Sequence, residues 1–261
     1  DMACGERGTG RFPDPKSIFE LILSKIKKNQ ILSNQFKDIS ILVTAGPTIE
    51  AIDPIRFLSN KSSGKQGFEI ASELTKRGAK VTLISGPVSI PFPNCKDLIN
   101  VKTANEMLDS VVQQLPADIL ICSAAVADWK LIPKTSSNKK IDTSNKIKKS
   151  NEKLLFETEK NPDILETIAK SNFRPKIVIG FSAETSDIKK NAHSKLISKN
   201  VDLMVANDVS NNRVFGEDFN KVCLIDKNNC EQWEKQSKKS VAYHLANKIN
   251  DMLINYNKRG V

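Results

Sequence analysis

Apolar residues along this chain keep two rhythms. Short runs such as Ile39–Thr44, Lys80–Ser85, Asp118–Cys122, Lys176–Phe181 and Leu203–Ala206 are nearly continuous in Val, Ile, Leu and Ala. That is the pattern of strands covered on both faces. Between them, apolar positions recur every three or four residues. From about Lys65 to Arg77, Phe68, Ile70, Ala71 and Leu74 make one stripe, and Gly78 supplies a helix stop. Helices are also predicted over Ala104–Gln114, Asp187–Lys199 and Val241–Asn255, with a strand pair near Val222–Asp226 and Gln232–Glu234. Asn161-Pro162-Asp163 predicts a further helix start, with Asn161 as the cap and Pro162 in the first turn.

Two stretches depart from this alternation. Lys130–Lys153 is rich in lysine and poor in apolar residues, which predicts a mobile loop, followed by a short strand at Leu154–Thr158. Residues 1–37 open with Gly5, Gly8 and Gly10, then Pro13 and Pro15. A helical pattern follows over Lys16–Lys28, with Ile18, Leu21, Ile22 and Ile26 on one face. The division expected is an appendage over 1–37 and one domain over 38–261. Strand–helix alternation in that domain predicts an α/β fold: a doubly wound, Rossmann-like, mostly parallel sheet with helices on both faces.

Composition narrows the function. The chain has 261 residues, 39% of them hydrophobic, and no run approaching the ~18 apolar residues of a membrane span. The start lacks a leader pattern and an initiator Met, so the sequence reads as a fragment. Five cysteines, Cys4, Cys95, Cys122, Cys223 and Cys230, include no C-x-x-C pair. That disfavours a disulfide framework or zinc site and suits a reducing cytoplasm. His193 and His244 are the two histidines, too few for a histidine-built metal site or triad. The net charge of +10 invites a nucleic-acid reading, but Lys and Asn are spread throughout and aromatics make up 6% without basic–aromatic interleaving. A multiply anionic small substrate uses the same surplus, and no nucleic-acid or membrane partner is expected.

The candidate chemistry begins where strand Ile39–Thr44 runs into Ala45-Gly46-Pro47-Thr48 and then Ser59-Asn-Lys-Ser-Ser-Gly-Lys-Gln-Gly67. A small, polar, glycine-punctuated loop before a helix presents backbone N–H groups to phosphate; otherwise it is a glycine-rich turn. It is neither Gly-x-Gly-x-x-Gly nor a Walker loop, because Gln66 follows Gly64-Lys65 where a Walker loop needs Ser or Thr. A nicotinamide-dependent oxidoreductase on the same fold wants that glycine fingerprint and often Tyr-x-x-x-Lys; Tyr243 and Tyr256 supply no such pair. A non-enzymatic basic binding module would not need these ordered motifs.

Eight motifs occur in order: Thr44-Ala-Gly-Pro-Thr, Asp53-Pro-Ile-Arg-Phe, Ser59-Asn-Lys-Ser-Ser-Gly, Ala124-Ala-Val-Ala-Asp, Lys146-Ile-Lys-Lys, Lys160-Asn-Pro-Asp-Ile, Gly180-Phe-Ser-Ala-Glu-Thr and Ala206-Asn-Asp-Val. Together, over about residues 38–255, they resemble the phosphopantothenoylcysteine synthetase family, in particular its CTP-using bacterial branch. The opening Ala3-Cys-Gly-Glu-Arg-Gly-Thr-Gly-Arg-Phe-Pro-Asp-Pro resembles the last motif of the flavin-dependent decarboxylase half to which that synthetase is fused. There the cysteine donates a proton. Cys4 matches it and stands idle without the flavin-binding region, so FMN and decarboxylation are expected only if the missing half is supplied.

The resemblance implies a ligase in coenzyme A biosynthesis. It would join 4'-phosphopantothenate to L-cysteine with CTP and Mg²⁺, through an acyl-cytidylate, in a cytoplasmic homodimer. It implies that Lys146 closes over the triphosphate and that Asn60 governs conversion of the acyl intermediate. Gly46, Ser62, Gly64, Gly67, Cys122, Ser123 and Ala124 fall at nucleotide-binding positions. Asn161, Pro162, Asp163 and Ile164 would read the cytosine, and Phe181 would stack on it or pack in the core. Arg56, Ala124, Ala125 and Asp128 fall at substrate positions, Arg56 across a dimer interface; Asp128 orients either the pantothenoyl hydroxyl or a nucleotide group. Lys195 and Lys199, four apart on one helix face, would share an anion such as triphosphate, or else form an exposed basic face. A lysine-rich stretch of this kind is ordinarily a solvated charge run; motif order overrides that reading for Lys146, and less so for Lys148 and Lys149. No carboxylate cluster suggests a protein-built metal site, so Mg²⁺ would arrive on the triphosphate.

Overall fold

The computed structural model describes residues 14–150, 153–209 and 217–258. Cys4 and its motif as far as Pro13 lie outside these residues. The described chain begins with helix α1 (Pro15–Ser33), then β1 (Ser40–Ala45), the short pair β2 (Ile49–Ala51) and β3 (Phe57–Ser59), and α2 (Lys65–Lys76). β4 (Lys80–Ser85), β5 (Asp97–Asn100), α3 (Ala104–Gln113) and β6 (Ile119–Cys122) follow. Next come β7 (Trp129–Lys134), β8 (Leu155–Lys160), α4 (Ile164–Ala169), β9 (Ile177–Glu184), α5 (Ile188–Ser198) and β10 (Leu203–Asp208). The chain closes with β11 (Phe219–Asn220), β12 (Val222–Ile225), β13 (Cys230–Gln232), β14 (Gln236–Ser237) and α6 (Lys238–Lys258).

Eight strands form one sheet in the order β13-β12-β10-β9-β6-β1-β4-β5. The run from β10 to β5 is parallel, and β12 and β13 add an antiparallel edge. The doubly wound α/β expectation holds. Alternate strand residues enter different cores, as the pleat requires. Ile41 and Val43 join Ile119, Ile121 and Ile179 beneath α2 and α6. Leu42 joins Leu120, Val178 and Met204 beneath α3, α4 and α5.

The chain leaves β1 toward β4 and β5, then returns to place β6 on β1's other side. The strand order thus reverses between β1 and β6, which opens a crevice at the carboxyl ends of those strands. Gly67 lets α2 approach that crevice. A Cβ there would stand 2.5 Å from Ser123 Oγ and 2.6 Å from the Ala45 Cβ.

Three expectations change. The segment 130–153 is not wholly loop: β7 occupies its start and pairs antiparallel with β8, from Trp129↔Lys160 to Lys134↔Leu155. The lysines that hid this strand face carboxylates across the ladder, Lys130 on Glu159 and Lys134 on Glu157. The fourth helix starts later than predicted, at Ile164, with Asp163 as its cap accepting from Glu166 N at 2.9 Å. Asn161 instead donates from Nδ2 to Ala127 O at 2.9 Å. The N-terminal helix forms and extends to Ser33, but Leu21 and Ile22 of its predicted apolar face are exposed, beside Phe19.

Candidate active site

The glycine loop is fixed from both sides before it meets a ligand. Ser59 Oγ donates to Thr48 O at 2.7 Å and Asn60 Nδ2 donates to Ala125 O at 2.9 Å. Gly46 and Gly64 both hold left-handed backbone, with φ of 73° and 74°. Their backbones touch, since a Cβ on Gly64 would lie 3.3 Å from Gly46 Cα. Gly64 caps α2 with no side-chain bond to the helix amides. A helix start without a side-chain cap carries partial positive charge suited to an anion.

The facing wall is the segment after β6. Ser123 Oγ donates to Thr44 O at 2.6 Å, Ala125 N to Gly46 O at 2.9 Å, and Ala127 N to Thr48 Oγ1 at 2.9 Å. These bonds stitch the small-residue run 122–128 to the extension of β1, and Asn161 N on Asp128 O at 2.9 Å ties it to the start of α4. Burial pushes the Cys122 thiol up to about 12, so it lines the wall as an inert group rather than a nucleophile.

These walls enclose a cleft of about 900 Å³. It gathers Asn60, Ser62, Gly64, Gly67, Cys122, Ser123, Ala124, Ala125, Asp128, Asn161, Pro162, Asp163, Ile164, Phe181, Lys195 and Lys199. Gly46 stands behind Gly64 instead of on the surface. Phe181 has both of its expected qualities, lining the cleft while packing against the core beneath α2 and α6.

Lys195 and Lys199 are not a bare cationic pair awaiting one anion. Lys195 Nζ lies 2.8 Å from Glu184 Oε1 and Lys199 Nζ 2.6 Å from Asp163 Oδ2. Each charge has its own carboxylate, which removes the mutual repulsion that their spacing alone suggests.

Arg56 and Lys146 do not line this cleft. Arg56 Nη1 pairs with Asp53 Oδ2 at 3.3 Å, and its Nη2 donates to Ile147 O at 3.3 Å. Buried Asp53 also accepts from Ile147 N at 3.2 Å, and from Ile55 N and Arg56 N at 2.8 Å. Burial pushes its carboxyl upward, but those three amides and the Arg56 charge prevail and hold it below the usual carboxylate range. Asp53 and Arg56 thereby anchor the segment carrying Lys146, whose side chain is exposed, as are those of Lys148 and Lys149.

Several lining residues carried no assignment from sequence: Lys65, Gln66, Ser182, Asn207, Asn220 and Lys238. Asn220 Nδ2 donates to Gln66 Oε1 at 2.9 Å, and Gln66 Nε2 donates to Lys238 O at 3.1 Å. This links the starts of α2 and α6. Burial, then the neighbouring Lys65 charge, pushes the Lys238 ammonium below its usual range. Ser182 and Asn207 sit at strand ends within quoted motifs, a signal that could have found them. Asn220 and Lys238 reach the cleft through long-range folding and leave no local signal.

Among the described residues, the buried side-chain polar atoms without a hydrogen-bond partner are Asn161 Oδ1, Ser182 Oγ, Asn207 Oδ1 and Asn220 Oδ1. All four residues line this one cleft. Buried polar groups are ordinarily paired, and leaving one unmade costs about 1–3 kcal/mol. Their convergence marks a surface built to be completed by a polar ligand.

Comparison with known proteins gives the chain a family. Residues 36–253 match the family described as DNA/pantothenate metabolism flavoprotein, C-terminal domain. The coenzyme A biosynthesis bifunctional protein CoaBC of Haemophilus influenzae is 39% identical over 252 residues, covering 95% of this chain and 59% of that protein. Its Escherichia coli K12 counterpart is 40% identical over 228 residues, covering 86% and 53%. The chain thus spans little more than half the length of these relatives. A crystal structure of a CoaBC C-terminal domain superposes with a TM-score of 0.70 at 33% identity, covering 85% of this chain and 99% of that one. With the match running from β1 into α6, this chain belongs to the DNA/pantothenate metabolism flavoprotein C-terminal domain family.

Proposed function

We propose that this chain is a phosphopantothenate–cysteine ligase that uses CTP, acting in coenzyme A biosynthesis in the cytoplasm as a homodimer. The observation that carries the reading is the convergence of four unpartnered buried polar atoms, a helix start without a side-chain cap and several lysines on one cleft at the strand-order reversal. That inventory suits a polyanionic nucleotide and a polar acyl group. The role of the relatives in coenzyme A biosynthesis supports this choice of substrates.

In the first step the phosphopantothenate carboxylate attacks the α-phosphorus of CTP; a P–O bond forms and the P–O bond to pyrophosphate breaks. In the second, the cysteine amine attacks the acyl carbon and CMP leaves as the new amide forms. The protein's contribution is orientation and charge neutralisation. The start of α2, with Ser62 and Gly67, holds phosphate oxygens, Lys195 and Lys199 turn from Glu184 and Asp163 to donate to them, and Lys146 closes over the triphosphate. Phe181 and residues 161–164 hold the base. Asn60, Ala124, Ala125 and Asp128 hold the acyl portion. Mg²⁺ enters on the triphosphate.

Incubation with phosphopantothenate, L-cysteine, Mg²⁺ and either CTP or ATP tests this directly. Pyrophosphate release should depend on phosphopantothenate and run much faster with CTP. Equal rates would reject the assignment of the base-reading segment, and no release with either nucleotide would reject the ligase.

A further inference from the structure

The β12–β13 edge of the sheet holds a second arrangement that the cleft chemistry does not use. Cys223 lies in β12 and Cys230 at the start of β13, with their sulfurs 3.0 Å apart. The antiparallel register sets Cys223 opposite Gln232 and Cys230 opposite Ile225. Side chains two apart on a strand share a face, so the two thiols are diagonal neighbours on the same face. Their surroundings differ sharply. Cys223 is buried in the core beneath α5, whereas Cys230 is exposed in a surface depression bounded by Lys189, Lys190, His193, Asp226 and Lys227.

We propose that Cys223 and Cys230 form a reversible dithiol–disulfide couple, a redox-modification site whose oxidant is a small peroxide. Cys230 is the thiol a solute reaches. Its sulfur attacks one oxygen of hydrogen peroxide, the O–O bond breaks, and a sulfenic acid and water result. The Cys223 sulfur then displaces the sulfenic oxygen, forming the S–S bond, and its proton leaves with that oxygen as a second water. Two electrons pass from the two sulfurs to the peroxide, and a dithiol returns the pair to thiols by exchange.

The order of events follows from the burial difference. Thiolate is the reactive form, and burial, then the hydrogen bond and charge of Cys230, push the Cys223 thiol up to about 12. Cys223 therefore resolves rather than initiates. Closing the sulfurs from 3.0 Å to a bond of about 2 Å is a movement of about 1 Å within a hairpin whose ladder already holds the strands together.

The test uses the full chain, folded and reduced, exposed to dilute hydrogen peroxide. Remaining thiols are alkylated under denaturing conditions, followed by trypsin digestion without reductant. Cleavage after Lys221, Lys227 and Lys235 separates the cysteines into peptides 222–227 and 228–235. The expected product is those two peptides joined with loss of two hydrogens and separated again by dithiothreitol, while Cys95 and Cys122 remain alkylated. In Cys230→Ser, a change at an exposed position, Cys223 should stay fully alkylatable after the same treatment. Alkylation of both cysteines after peroxide, or Cys230 carried to sulfinic acid beside an alkylated Cys223, would overturn the proposal.

Discussion

Asn60 has a structural duty in the loop, and the proposed reaction gives the same amide a chemical one. Its Nδ2 is committed to Ala125 O at 2.9 Å, which ties the glycine loop to the small-residue wall, while the residue itself stands on the cleft. Asp at this position keeps the size but sets a carboxylate oxygen against the Ala125 carbonyl and removes the donor. In the proposed reaction the first half-reaction depends on the groups around Ser62 and Gly67, which Asn60→Asp leaves in place. Pyrophosphate should therefore still form in Asn60→Asp while product does not, and an acyl-cytidylate should accumulate to a stoichiometric level per site. Rapid-quench chromatography with labelled CTP reads this; equal loss of both half-reactions would leave Asn60 only its loop-holding bond. Asn60, Ser62 and Gly64 were legible as a glycine-punctuated loop before a helix because glycine placement and helix starts are local, and the structure sets them on the cleft. Asn220 and Lys238 were not, because strand pairing and the docking of α6 on α2 bring them in from far along the chain.

Between elements, the clearest joint is Arg77, fully buried just past the end of α2. Its Nε lies 2.7 Å from Glu73 Oε1, and its Nη atoms donate to Gln35 Oε1 at 2.8 Å, Asn247 Oδ1 at 2.6 Å and Tyr243 O at 2.9 Å. The guanidinium also stacks 4.7 Å from the Tyr243 ring. One side chain thus joins α2, α6 and the segment before β1. Arg77→Met leaves Glu73 and three further acceptors without their donor, and breaking such a buried pair costs about 3–5 kcal/mol. Urea unfolding should show that loss, with Arg77→Lys recovering part of it; a loss below about 1 kcal/mol would mean the joint relaxes onto water. On α5, Lys195 and Lys199 make partly exposed pairs of small stabilising value, so Lys195→Gln and Lys199→Gln should fold normally. CTP binding should fall roughly tenfold or more in each, as expected for losing a charge-assisted phosphate contact; calorimetric affinities equal to the parent would remove α5 from the nucleotide site. Most sheet strands and the long helices were legible because their apolar period is strong; the edge strand β5, four residues long with Asp97 and Asn100 at its ends, was missed. The strand β7 was not, because its Lys130 and Lys134 find their carboxylates only after pairing with β8.

At the scale of the whole molecule, the two small hairpins leave the sheet together. β2 packs against β7, and the pairs β2–β3 and β7–β8 leave Ile55, Phe57, Trp129, Leu155 and Phe156 exposed. Arg56 stands in this region with its side chain 44% exposed, while the cleft lies at the carboxyl ends of the sheet strands. Exposed apolar side chains gathered on projecting hairpins favour a contact with a second copy, and a two-fold contact would carry Arg56 toward the partner's cleft as readily as the reverse. The homodimer reading then makes a test that no single-chain site could pass. Arg56→Ala and Asn60→Asp subunits, each inactive alone in forming product, are mixed, denatured and refolded together. If Arg56 serves the partner's cleft, one of the two sites in a mixed dimer carries neither substitution, so product formation should return to a substantial fraction of parent activity. Mixed dimers verified by native mass spectrometry yet wholly inactive would place Arg56 in service of its own chain. It would then act through the Ile147 carbonyl it already holds, as an anchor for the Lys146 segment rather than a contact to substrate.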